Sequence, residues 1–424
     1  MLWKKTGRYV GGQRRAMNRL EELRARARRS LDVEPAYGSH IDLLRYIRPT
    51  EAAEYVDRLQ DLPERVIEQM ERVGIDPSEE NKAASYVQLD NTVSYRRKLH
   101  PDLDLLTLEE ALQDEHFIND YYWNLIDVGQ DKFTAAAMLH GRAGYVIFTK
   151  KGQRVDLPVQ TCLFMKSPVS FQAPHNVVVA EEGSTLHVIT GCGIIPESVG
   201  LHVGITEFYV KSNAIVTFTM IHDWSPTTNV RPRTAAVVEE GGVFVSNYVN
   251  LSSKGLATFQ SYPSVHLKGD RSRTFMSSIV LGKATSKIDV GSSVLMTGEG
   301  TKAEIVSKAI SSDASEIVAR AKILARSKGS KGHVECRGLM LSDTSRIWAV
   351  PELDSTSKEV ELTHEAAVGK LAEEEIFYLM SKGLKRDEAV SVLVRGFLEV
   401  KAPELPPMLE RQIRLAADQS VKGL

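Results

Sequence analysis

The chain has 424 residues, 42% apolar and 25% charged, with 53 Lys and Arg against 55 Asp and Glu for a net charge of −2. That balance argues against a dedicated nucleic-acid binder, no apolar run reaches the roughly 18–20 residues that cross a bilayer, and Lys4, Lys5 and Arg8 stand where a secretory signal has its apolar core. The expectation is a cytoplasmic protein without nucleic-acid or membrane partners, and three widely spaced cysteines, Cys162, Cys192 and Cys336, exclude a disulfide scaffold or zinc ribbon.

Residues 1–125 read as an N-terminal region of helix and loop. Residues 17–31 place Leu20, Leu23 and Leu31 at helical spacing among many arginines. The first 30 residues hold ten Lys and Arg. A solvated helix face explains such a run more simply than an RNA- or partner-binding arm. Thr50-Glu51-Ala52-Ala53 opens a further helical stretch, and Thr107-Leu108-Glu109-Glu110 is a capping box.

Residues 126–363 read as a β core. Short apolar runs recur at 145–149, 177–180, 185–190, 208–210, 214–221, 243–249, 274–281, 293–296, 305–307 and 360–362. In 214–221 the even positions Ala214, Val216, Phe218 and Met220 form the period-two stripe of a strand. Turn residues such as Lys211-Ser212-Asn213 and Glu240-Gly241-Gly242 separate the runs. So many strands without intervening helix exclude a doubly wound sheet and leave a sandwich, a barrel or a solenoid. A unit of roughly 25–30 residues favours the solenoid.

Residues 364–424 read as a C-terminal helical region. Ile376, Leu379 and Met380 share a face over 372–382, with Gly383 at the C-cap position. Asp387 caps a second helix with Ala389, Val390, Leu393, Val394 and Phe397 on its apolar side, Pro403, Pro406 and Pro407 break it, and 408–419 is a last amphipathic helix.

No self-contained catalytic motif is present. Gly298-Glu299-Gly300-Thr301-Lys302 lacks the spacing that wraps a phosphate. His187, His202, His222 and His266 are single histidines in or beside strand runs. The dense stretch is 333–370, where Cys336, His364 and Glu365 bring thiol, imidazole and carboxylate within thirty residues. On a solenoid, successive rungs stack about 4.8 Å apart. Cys336 and Glu365 are 29 positions apart, close to one rung, so their side chains are expected to meet in a set suited to iron or zinc. One buried cysteine beside a polar helix start is the plainer alternative. Cys162, in an apolar context, and Cys192, between Gly191 and Gly193, read as packing residues.

The same stretch resembles the SufB/SufD family of SUF-system iron–sulfur assembly scaffolds. The likeness rests on Cys336-Arg337-Gly338-Leu339-Met340-Leu341, Pro351-Glu352-Leu353, Thr363-His364-Glu365-Ala366-Ala367-Val368-Gly369-Lys370 and Phe377-Tyr378-Leu379-Met380-Ser381-Lys382-Gly383-Leu384. It continues upstream in Val179-Ala180-Glu181-Glu182-Gly183-Ser184, Gly191-Cys192, Leu201-His202 and His222-Asp223-Trp224, and covers roughly 130–400.

The resemblance implies a right-handed parallel β-helix with helical ends, an ABC-type ATPase partner docked on the C-terminal helices, and dimerisation through the end of the β-helix. It implies that Cys336, His364 and Glu365 hold a nascent, transient iron–sulfur cluster. SufD-like members lack the cysteine, so this chain looks SufB-like or like an ancestral homodimeric form. Its second subunit is then a copy of itself or a SufD-like paralogue. A sulfur donor and apo acceptor proteins are the remaining implied partners. SufB members of larger systems also carry a mid-helix sulfur-accepting cysteine, which the corresponding stretch 238–244 lacks.

One thiolate cannot hold a cubane that takes four, whereas a two-fold axis brings two copies of Cys336 together. That favours a scaffold that releases its cargo, without enzymatic activity of its own. A subunit that recruits the ATPase and binds no cluster is the alternative. A carbohydrate-cleaving solenoid is disfavoured by 7% aromatic content and the lack of a repeated Asp pair.

Overall fold

A computed structural model describes residues 10–195 and 198–398. The chain is mainly β, a parallel solenoid of about eight turns with a few helices toward its ends. Two long sheets face each other. One runs through Ala84–Leu89, Arg154–Met165, Thr185–Ile194, Ile215–Asp223, Val243–Asn250, Arg273–Gly282, Lys302–Ser311, Lys331–Met340 and Glu361–Lys370. The other includes Tyr145–Thr149, His175–Ala180, Ile205–Val210, Arg233–Val238, Lys287–Met296, Glu316–Ala325 and Arg346–Ser355.

The register follows from period-two patterning. Ile215–Asp223 lies in parallel register between Thr185–Ile194 and Val243–Asn250. Its inward Val216, Phe218 and Met220 join Val188, Phe244 and Met276 in the core between the sheets. Tight turns link the rungs, and at one of them Gly241 holds φ +64 with its α-carbon against the Asn213 side chain of the preceding turn. A Cβ there would press on Asn213 Oδ1 and add strain at this positive φ, so glycine is favoured.

The two ends differ. At the start, Thr92–Lys98 pairs antiparallel with Ala84–Leu89, and Leu103–Thr107 pairs antiparallel with Tyr145–Thr149. At the finish, Arg346–Ser355 and Glu361–Lys370 each have a neighbouring strand on one side only among the described residues. Helix Lys132–His140 packs on the outer face of the second sheet through Phe133, Val177 and Val179, and helix Val10–Arg29 packs on that helix and on Glu115–Asp120 through Ala16 and Ala27. Helix Glu64–Arg72 and the pair Glu373–Ser381 and Arg386–Leu398 pack on the outer face of the first.

Several expectations need correction. Residues 84–107, read as helix and loop, form three strands. All six residues of Ala84–Leu89 are buried, so that strand shows no polar alternation to read. Residues 50–56 form no helix. His364, placed at a helix start, lies inside strand Glu361–Lys370, and helix begins only at Glu373. The Thr107 capping box is present, with the hydroxyl accepting from the Glu110 N–H at 3.2 Å. The predicted helix 408–419 lies outside the described residues.

Candidate functional site

Strand Lys331–Met340 alternates in burial from Lys331 to Gly338. Val334 and Cys336 point into the core between the sheets, while His333, Glu335 and Arg337 point outward. Cys336 is only 1% exposed. In register it has Ser307 on the rung behind and Ala366 on the last rung. Behind Ser307 the same inward column continues through Ser278 and Tyr248. Ser278 Oγ donates to Ser307 Oγ at 3.1 Å, and Tyr248 Oη lies 3.0 Å from His222 Nδ1. Burial, aided by the Glu335 charge, pushes the Cys336 thiol up to about 11. At rest this sulfur is therefore a protonated thiol and a poor metal ligand.

His364 and Glu365 lie on the terminal strand, both exposed. His364 pairs with Val334, so it shares the inward face with Cys336, one diagonal step away. Glu365 pairs with Glu335 and belongs to the outward face. The expected meeting of Cys336 and Glu365 is thus not realised within one chain. The last turn contains 30 residues, not 29, and a shift of one residue moves a side chain to the opposite face of a strand. Glu335, which the sequence reading passed over, is the carboxylate facing Glu365, and Arg337 Nε holds it at 2.5 Å. Among the described residues, no group of three His, Cys, Asp or Glu is gathered as a metal site.

The other thiols are packing residues. Cys162 lies in the apolar cluster beneath helix Glu64–Arg72, and burial pushes it up to about 12. Cys192 is fully buried in the core between the sheets, and burial raises it well above the ordinary range. His202 and His222 pack against Trp224 with ring centroids 5.1 and 5.2 Å away. Burial drives His202 down to about 3 and His222 well below its ordinary value, so both are neutral.

The C-terminal helices bury Ile376, Ala389, Val390 and Val394 against the first sheet. They leave Phe377 and Tyr378 60% and 63% exposed, with Val392 also facing solvent. No helix among the described residues is long and apolar enough to cross a membrane.

Residues 163–397 match the family model described as SUF system FeS cluster assembly, SufBD core domain. An iron–sulfur cluster assembly SufBD family protein of Methanothermobacter thermautotrophicus is 40% identical over 412 residues, covering 96% of this chain and 100% of that protein. A second, from Archaeoglobus fulgidus, is 42% identical across 84% of this chain and 95% of its own length. A third, from Staphylococcus aureus, is 28% identical across 86% and 79%. An eight-turn parallel solenoid with a cysteine under its open rung therefore has both the architecture and the sequence kinship to be placed. The chain belongs to the SufBD family of iron–sulfur cluster assembly proteins.

Proposed function

We propose that this chain is a scaffold on which an iron–sulfur cluster is built and from which it is released, and that the site forms where two chains meet at their open ends. The observation that carries this reading is the terminal rung: a ten-residue strand, Glu361–Lys370, with one edge unpaired among the described residues and Cys336 directly beneath it. A long open edge is a template for pairing with another chain.

Of the two open edges, the first sheet offers the better one. The Glu361 N–H is given to Ser330 O at 3.1 Å, so in regular alternation residues 362, 364, 366, 368 and 370 turn theirs outward. On the other sheet Arg346 N–H goes to Ser315 O, which makes Pro351 an outward position with no N–H to give. Antiparallel pairing of two Glu361–Lys370 strands about Ala366, whose N–H faces the open edge, sets Ala366 opposite its own copy and brings both His364–Glu365 pairs near the axis. Cys336 then lies three strand spacings, about 14 Å, from the partner's Cys336. One small cluster does not span that gap, so loading requires the terminal strands to part. Parting also frees the thiols to ionise.

The chain has no phosphate loop, so the work of opening comes from an ABC-type ATPase docked on the exposed Phe377 and Tyr378 face. A single thiolate with imidazole and carboxylate holds the cluster, as cargo, less tightly than four thiolates would. Anaerobic incubation of the purified chain with ferrous iron and sulfide tests this reading. It predicts a brown, oxygen-labile protein. A colourless product that still retains a co-purifying ATPase would instead mark a recruiting subunit that binds no cluster.

A further inference from the structure

The near-zero net charge of the chain conceals a concentrated patch. Helix Val10–Arg29 carries seven arginines and no lysine. Its Ala16, Leu20, Leu23 and Ala27 side is spent on packing against the 108–138 segment. Arg19 is turned to the body, donating to Ile118 O at 3.0 Å and Tyr122 O at 3.1 Å, and Arg26 pairs with Asp127 at 2.5 Å. The other five, Arg14, Arg15, Arg24, Arg28 and Arg29, are exposed and make no hydrogen bond or ion pair among the described residues. At 3.6 residues per turn all five fall within about half of the helix circumference. Arg24 and Arg28 repel each other at i, i+4. Only Glu21 and Glu22 offset the patch on that helix.

The composition of the face selects its ligand. Among the described residues Met17 is the one large apolar side chain exposed on the helix, too little for the apolar core of a protein interface. The apolar stripe is already buried, so the helix has nothing to insert into a membrane. It carries no aromatic residue on which a single-stranded base would stack. What remains is guanidinium, whose fork matches phosphate. The arginines form two groups, 14–15 and 24–29. Arg14, Arg28 and Arg29 lie within about 100° of one another around the axis and span about 21–22 Å along it, a row long enough to reach phosphates on both sides of a groove roughly 12 Å wide.

We propose that this arginine face binds duplex nucleic acid through its phosphates, without reading sequence. The test is fluorescence anisotropy of the full-length chain with a labelled DNA duplex of about 20 base pairs, between about 50 and 200 mM salt. Binding that weakens with salt is expected. The variant Arg24→Gln/Arg28→Gln/Arg29→Gln loses at least about tenfold in affinity, and the slope of log affinity against log salt falls by about 2.7, while the corresponding lysine variant keeps the slope. Circular dichroism checks that both variants fold. Lack of binding at about 50 mM salt, unchanged affinity in the glutamine variant, or tighter binding to single strands, polyglutamate or anionic vesicles would each overturn the proposal.

Discussion

Burial sets the chemistry of individual side chains in this solenoid. The three cysteines are all buried, and loss of water raises each thiol above its ordinary range. The native chain at about pH 8 should therefore react with a thiol-specific disulfide reagent at far less than one site, and the denatured chain at three. Fast reaction of one native thiol would show that a cysteine is already open. The buried histidines act in the opposite sense. His202 titrates at about 3 against an ordinary 6.5, because burial disfavours the imidazolium. Between those values the unfolded chain takes up a proton that the folded chain refuses. Stability from this group is complete above 6.5 and is lost as pH falls toward 3, at no more than about 1.4 kcal/mol per pH unit. Replacing His202 with Gln should remove that part of the pH dependence, read from urea midpoints at about pH 7 and pH 5. Equal slopes in variant and parent would contradict it.

At the level of elements, strand Glu361–Lys370, whose outer edge has no neighbour among the described residues, distinguishes one end of the solenoid from the other. With this strand as the seam, Ala366→Pro removes the outward N–H that both chains give at the axis and should shift sedimentation toward monomer by at least about tenfold in dissociation constant. Ala366→Gly, which keeps that N–H, should leave the dimer in place. A parent chain that is monomeric at high concentration would remove the strand from consideration. This element was also the hardest to read. Thr363-His364-Glu365-Ala366-Ala367 has helix-compatible composition, and its strand state comes from pairing with Lys331–Met340. In Ile215–Asp223 the alternation of Val216, Phe218 and Met220 with Thr217 and Thr219 was plain, although all but Ile215 are buried. Local hydrogen bonding also left a legible mark, as the Thr107–Glu110 capping box shows.

For the molecule as a whole, the β-solenoid with helical ends was legible because every turn repeats one pattern: inward apolar stripe, tight turn, return strand. The exact turn length was not. One extra residue in the last turn puts Glu365 on the face opposite Cys336, and no local signal records which turn carries it. The account therefore depends on an assembled seam: two chains meeting at their open ends, the terminal strands parting, and Cys336 becoming a ligand. Anaerobic cluster loading of the parent chain and of Cys336→Ala, followed by iron content and sulfide-to-iron absorption per chain, tests this most directly. The account predicts that the variant stays folded and dimeric yet retains no cluster. A Cys336→Ala protein that loads and holds as much cluster as the parent would contradict it.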